Sequence, residues 1–282
     1  VSVAPIDSAV DVGRALGLVV ERPVVLKNTL NLVVRLAPTP VVARVAARTA
    51  VVRGTEPLAD AVALAAWLAD AGLPVARPTA LVDPGPHVGP GGWAMTLWEL
   101  QHVVDRPADP IFTGRSLRAI HEAAADYPGS LRHVGPLAEI ERLLVVAEDA
   151  KPAEVDRLRA YAARVELPSL PAQPVHGDAH LGNVMVTTRG AVWGDWEESW
   201  RGPVAWDLAA LDHRRRVHGE LTGEIGAALR AYGAYDRGAV EAWGDVVTLW
   251  AAAWGIVFAR ELPRLGEGTN RRLAWLAERF GF

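Results

Sequence analysis

Short runs of valine and leucine, separated by polar or proline-containing breaks, fill the first hundred residues. Residues 19–26, 32–36 and 41–47 read as strands. Pro38-Thr39-Pro40 reads as the hairpin turn between the second and third. From 57 to 71 the spacing changes: Leu58, Ala61, Val62, Ala65, Leu68 and Ala69 recur at helical intervals, and Gly72 ends the run. Residues 79–82 and 93–100 read as two more strands around the Pro/Gly-rich stretch 83–92. Beyond Leu100 helical patterns dominate, over 114–125, 136–150, 153–165, 204–217, 220–232, 239–259 and 270–280. A polar, strand-like stretch at 175–195 interrupts them once. The expected fold is α+β: a small strand-rich lobe over 1–100, a hinge near 100 and a larger helical lobe over 101–282. No internal repeat or low-complexity tract is visible.

Composition narrows the function classes. Half of the 282 residues are hydrophobic and 22% are charged, an ordinary globular balance. The formal net charge of −4 argues against a strongly basic nucleic-acid binder. With no cysteine, disulfides, zinc–thiolate sites, iron–sulfur clusters and thiol catalysis are excluded. Residues 1–15 carry Asp7 and Asp11 and lack the basic-then-apolar pattern of a leader, and the longest charge-free apolar stretch, about 14 residues, is too short for a membrane span. A cytoplasmic location is expected, as a monomer or homodimer with no nucleic-acid or membrane partner.

The candidate chemistry lies at 176–195. Phosphoryl transfer needs a carboxylate to take or orient the proton of the attacking hydroxyl. It also needs an amide oxygen and a second carboxylate to hold Mg²⁺ against the triphosphate. Asp178 and Asn183 have the Asp-x-x-x-x-Asn spacing of a kinase catalytic loop. Residues 184–186 and 192–193 form plausible hairpin strands around Arg189-Gly190, and this hairpin returns the chain to Asp195. Two other readings exist. His, Asp and Asn gather in turns because their side chains bond nearby backbone. His176, Asp178 and His180 also alternate, as the ligands of a metallohydrolase could.

The stretch HGDAHLGN at 176–183, with WGDWE at 193–197, resembles the catalytic loop and metal-binding segment of the aminoglycoside phosphotransferase/choline kinase-like family, relatives of the protein kinases. RGPVAWDLA at 201–209, MTLWEL at 95–100 and LRAIHEA at 117–123 resemble further segments, so the likeness spans roughly residues 20–210. It implies a two-lobe kinase-like fold and transfer of the ATP γ-phosphate, with GTP as the alternative nucleotide, to a hydroxyl of an aminoglycoside-like, sugar or amino-alcohol substrate. Asp178 would be the catalytic base, and Asn183 and Asp195 the Mg²⁺ ligands. His176 would be structural, and His180 structural or in contact with substrate.

The nucleotide lobe departs from the family pattern. The turn 27–31 contains no glycine, so phosphate contacts fall to Lys27, Asn28 and Thr29 or to backbone N–H groups, and Asn31 matches an asparagine that often follows this loop in the family. Arg44 stands on the third strand where a lysine is usual. The helix position of its glutamate partner is Ala61, with Asp60 and Glu56 the nearest acids. Adenine is expected against the hinge backbone at Glu99 and Leu100. For the acceptor, Glu197, Glu198, Trp200, Arg201, Asp207, Asp212 and His213 are candidates, and Glu198, Trp200 and Asp212 are the choice for substrate contacts; carboxylates would suit a polyamine-like substrate. Arg214-Arg215-Arg216, with His213 and His218, reads as a basic turn on a solvated helix face or as an anion site. A nucleotide-binding pseudokinase is the competing class, favoured by the irregular phosphate turn and by Ala61.

Overall fold

The computed structural model describes residues 3–281. The order of elements is α1 (Pro5–Ala15), β1 (Val20–Asn28), β2 (Leu32–Pro38), β3 (Val41–Val45), α2 (Ala50–Arg53), α3 (Glu56–Asp70), β4 (His87–Val88), β5 (Ala94–Glu99), α4 (Pro110–Ala124), α5 (Pro136–Ala147), α6 (Pro152–Ala162), β6 (Gln173–Val175), β7 (Val184–Thr187), β8 (Gly190–Trp193), β9 (Trp200–Gly202), α7 (Val204–His218), α8 (Thr222–Tyr232), α9 (Arg237–Phe258) and α10 (Pro263–Phe280). It is a mixed architecture, with a strand-rich N-terminal sheet and a helical C-terminal part. The chain divides into two compact units. One is made of residues up to 108 with 126–133 and 183–199; the other of 109–125, 134–182 and 200 onward.

The first unit is built on a five-stranded antiparallel sheet in the order β1-β2-β3-β5-β4. Along β2, Leu32, Val34 and Leu36 are buried while Val33 and Arg35 are less so, the period-two pattern of a strand with one face on a core. Helix α1 covers that face with Ala9, Val10 and Val12. A Cβ at Gly13 would lie 2.8 Å from Leu36 Cδ1, so the helix approaches the sheet as closely as glycine allows.

Helix α1 is absent from the sequence reading, although Pro5 at its first turn and the Ile6/Ala9/Val10/Gly13 spacing mark it. Residues 79–82, expected as a strand, are a bend. Thr79 N–H reaches Leu97 C=O at 3.0 Å and Pro78 makes one bridge to Trp98, but no ladder grows. Pro78, Pro84 and Pro86 have no N–H to extend one, and the sheet edge is the two-residue β4 instead.

The same unit contains the β7–β8 hairpin, in register from Val184↔Trp193 to Thr187↔Gly190. Both of its ends are tied down. Trp193 exchanges backbone bonds with Pro74 and Ala76 at 2.8 and 2.7 Å, and Thr187 bridges to Val103. The hairpin thereby fixes the residues at its open end, Asn183 and Asp195.

The second unit is helical, with β6 and β9 as its short antiparallel pair. Helix α9 is buried along almost its whole length, from Ala239 to Phe258, and α5, α7 and α10 pack around it. A helix apolar on most of its faces is a core element. No helix among the described residues is long and apolar enough to cross a membrane.

Candidate active site

In the first unit the site residues are organised by one part-buried cation. Arg44, on β3 beside β5, hydrogen-bonds the carboxylates of Asp195 and Glu197. Burial alone would lower its pKa, but the two carboxylates outweigh that and hold it above the ordinary arginine range. Lys27, near the end of β1, lies 3.4 Å from the other oxygen of Asp195. Asp195 sits in the left-handed region at φ 62°, ψ 55°, which a non-glycine residue enters at some cost in backbone strain. Its neighbour Gly194 donates its N–H to the Asn183 carbonyl at 2.9 Å, so the two expected metal-ligand residues occupy one end of the β7–β8 hairpin.

Glu197 holds the arrangement together. Its Oε1 accepts from Arg44 and, at 2.6 Å, from the Asn31 amide, while Asn31 Oδ1 accepts from Thr49 at 2.7 Å. Its Oε2 is buried with no hydrogen-bond partner. An orphaned buried carboxylate oxygen is costly and is the kind of donor a hard cation takes. Asn183, Asp195 and Glu197 offer the oxygen-donor chemistry that a hard cation such as Mg²⁺ takes.

Several expectations shift here. Asn31 is buried, and its hydrogen bonds go to Glu197 and Thr49, not outward to a nucleotide. Asn28 is exposed beside Arg48, whose guanidinium also holds the Thr29 carbonyl at 2.5 Å. The missing helix glutamate is replaced from another place. Asp60 does not reach Arg44; it binds Arg132 through both the backbone N–H (2.6 Å) and the guanidinium (2.9 Å). Glu197 supplies the carboxylate instead. At the hinge, Leu100 N–H is taken by Pro40 C=O at 2.9 Å and Glu99 N–H by Arg77 C=O at 3.0 Å. The next two amides, of Gln101 and His102, have no partner among the described residues.

In the second unit a buried carboxylate shapes the catalytic loop. Asp207, on the first turn of α7, accepts the N–H groups of His176 (2.7 Å) and Gly177 (2.9 Å) and the His121 ring at 2.9 Å. Tyr232 O–H faces the other His121 nitrogen at 2.9 Å; burial pushes the tyrosine pKa up to about 12, so it remains a donor. Trp206 Nε1–H closes the loop on Gly177 C=O at 2.7 Å, and Gly177 has φ +88°, open to glycine at little cost. Asp207 therefore holds the loop and does not line an acceptor site.

Asp178 is half-buried, with His180 Nε2 3.4 Å from its carboxylate. His176 is fully buried and accepts the Asp178 N–H at 3.3 Å; His180 Nδ1 accepts Gly182 N–H at 3.0 Å. Each histidine has one ring nitrogen engaged with the loop's own backbone, and His176, Asp178 and His180 do not gather as metal ligands.

The three substrate-contact expectations are each drawn elsewhere. Glu198 pairs with buried Arg53, Asp212 with Arg215 at 2.8 Å, and the Trp200 ring packs against Trp206 and Trp243 and the backbone of Gly135. Trp196, with its Nε1–H on Trp193 C=O at 3.2 Å, is likewise core. His213 is buried, and its pKa is held well below the ordinary value by burial first and then by Arg272, His218 and Arg216, with Asp178 acting in the opposite direction. Arg272 does not figure in the sequence reading; on an amphipathic helix it looks like any solvated arginine.

The sequence profile of the phosphotransferase enzyme family matches residues 21–243. The chain belongs to that family. As a family member it is a phosphotransferase with an alcohol group as acceptor. No curated protein matches it closely in sequence. Among solved structures, the phosphotransferase is similar to choline kinase LicA from Streptococcus pneumoniae, at 15% identity and a TM-score of 0.68 over 95% of this chain and 98% of that one. It is similar to amicoumacin kinase hAmiN, solved with AMP-PNP, Ca²⁺ and Ami, at 14% identity and a TM-score of 0.66 over 98% and 94%. An aminoglycoside-3'-phosphotransferase of type VIII matches at 19% identity and a TM-score of 0.60 over 88% and 100%. These likenesses establish a kinase-like fold for the phosphotransferase.

Proposed function

We propose that this phosphotransferase moves the γ-phosphate of ATP to a hydroxyl of a small molecule. The observation that carries the reading is the Arg44–Asp195–Glu197 cluster with Asn183 at the same hairpin end. It would supply cations for a triphosphate and oxygen donors for its metal from one hairpin end and the strand beside it. Asn183, Asp195 and Glu197 would hold Mg²⁺, which when bound neutralises charge on the phosphates. Lys27 and Arg44 would face phosphate oxygens, and the free N–H groups of Gln101 and His102 would offer adenine its hydrogen-bond donors. Solved relatives of the same fold contain AMP-PNP or AMP, which supports a nucleotide as donor.

Asp178 would accept the proton of the acceptor hydroxyl as its oxygen forms the new P–O bond. The bond from the γ-phosphorus to the β-bridging oxygen breaks in line, and ADP leaves with the electron pair. The protein's contribution is positioning and charge neutralisation, with no phospho-enzyme. Aminoglycosides, sugars and amino alcohols form the starting acceptor panel, in keeping with relatives named as choline, amicoumacin and aminoglycoside kinases.

The pseudokinase reading draws on the glycine-free turn and Ala61. Glu197 weakens it, since it gives Arg44 the carboxylate that Ala61 cannot. The test is Mg²⁺-dependent ATP consumption across the panel with wild type and Asp178→Asn. Loss of the base should lower kcat by about 10²–10⁴ while nucleotide binding persists. Equal turnover by the variant, or nucleotide stabilisation with no turnover for any acceptor, would refute the kinase.

A further inference from the structure

In the helical unit a cleft of about 720 Å³ opens between the later turns of α7, helix α8 and the start of α9. That is the size of a small-molecule site. Its charged lining is four arginines, Arg215 and Arg216 from α7, Arg230 from α8 and Arg237 from α9, against two acids, Asp212 and Glu241. Neither Asp178 nor the Arg44–Asp195–Glu197 cluster lines it.

The acids are already committed. Asp212 takes Arg215 at 2.8 Å, and Glu241 stands 3.5 Å from Arg279. Arg216 is paired at 2.6 Å with Asp245, which does not line the cleft. Asp236, next to Arg237 in the chain, is turned to α9, where it accepts Ala239 N–H at 3.0 Å. Arg230 and Arg237 are left. Both are exposed, and neither has a hydrogen bond or ion pair among the described residues. A Cβ at Gly226 would lie 3.3 Å from Arg230 Nη1, so the guanidinium folds back along α8 over a glycine that itself lines the cleft. Tyr235, between α8 and α9, lines the same space, and its hydroxyl has no hydrogen-bond partner among the described residues.

Like charges turned into one concave space raise its potential and draw in an anion. The four cations and two acids of the lining leave an excess of two positive charges. A carboxylate brings one negative charge and two oxygens. A phosphate monoester brings about 1.5 to 2 charges at neutral pH and three terminal oxygens. The phosphate therefore matches both the excess charge and the three free donor groups, and guanidinium forks suit its oxygens.

We propose that this cleft binds a small phosphorylated molecule, with the phosphate held by Arg230, Arg237 and Tyr235 and the rest of the ligand lying against Leu229 and Val240. The site does not depend on the role given to Asp178.

The test is calorimetry at low salt, without nucleotide or metal. The probes are inorganic phosphate, glucose 6-phosphate, gluconate (a carboxylate on a body of similar size) and glucose. Glucose 6-phosphate should bind at least about tenfold more tightly than gluconate, and glucose should not bind at about 10 mM. Arg230→Met and Arg237→Met should each weaken glucose 6-phosphate by about 10–100-fold, the worth of a charged hydrogen bond, and Tyr235→Phe by less. Arg214→Met is the control: Arg214 is an exposed arginine of the same helix surface, paired with Glu220 and outside the cleft, and its loss should leave affinity unchanged. Because Arg230 and Arg237 are exposed and unpaired, both variants should melt with wild type. Arg230→Lys and Arg237→Lys, which keep the charge without the fork, should fall between and serve if a methionine variant does not fold.

The proposal is overturned if neither phosphate probe binds at about 10 mM, if gluconate binds as tightly as glucose 6-phosphate, or if Arg214→Met weakens binding as much as the cleft variants do. The last result would mark a diffuse basic surface and no built site.

Discussion

The replacement of a helix glutamate by Glu197 makes a quantitative demand on stability. The Arg44 and Glu197 side chains are only 16% and 7% exposed, and both lie in the first unit. Removing one member of a buried pair costs about 3–5 kcal/mol, because the survivor is left charged and desolvated. In Glu197→Ala, Arg44 keeps Asp195, which places the loss near the lower bound, at about 3 kcal/mol. Glu197→Gln keeps an oxygen for Asn31 and Arg44 and should lose about 1–2 kcal/mol.

The decisive measurement is a double-mutant cycle in urea, followed by tryptophan fluorescence, since Trp193 and Trp196 belong to the same unit as the pair. Arg44→Met and Glu197→Ala should couple by about 2 kcal/mol, because the second substitution removes a group the first has stranded. Arg44→Met and Asp60→Ala should add to within about 0.5 kcal/mol. Additivity of the first pair, or coupling of Arg44 to Asp60, would show that the anchor comes from α3 and refute the reasoning.

Asp207→Asn should cost about 2–4 kcal/mol, because one oxygen replaces two that accept the N–H groups of His176 and Gly177 and the His121 ring; an unchanged urea midpoint would contradict the loop-holding role. His213 titrates below its ordinary value near 6.5 in the folded state, so as the pH falls below that value the unfolded chain binds a proton that the native chain does not. Stability should therefore decline below about pH 6.5 by up to about 1.4 kcal/mol per unit from this residue, and His213→Gln should flatten the slope between pH 5 and 7. An equal slope in the variant would rule out His213 as the cause.

What could be read from the sequence follows the range of the interactions involved. Asp178, Asn183 and Asp195 lie within eighteen residues, on a loop and a hairpin whose turn is written locally in Thr187–Gly190, so their spacing is visible to the eye. The alternating burial of β2 and the long apolar run of α9 are equally local. The partner of Arg44 is not local: 153 positions separate it from Glu197, and the register of the family resemblance points to Ala61. Physical chemistry alone could have narrowed the choice. An arginine on a central strand, flanked by buried Ala43 and Val45, must find a carboxylate, and an acid weighed only as an acceptor candidate, Glu197, stood two residues past Asp195. Helical periodicity places the arginines of α7 and α10 but says nothing about which acids Arg214, Arg216 and Arg271 take. The acids that made a polycationic acceptor attractive on paper lose that force once Arg53 and Arg215 are seen to hold them.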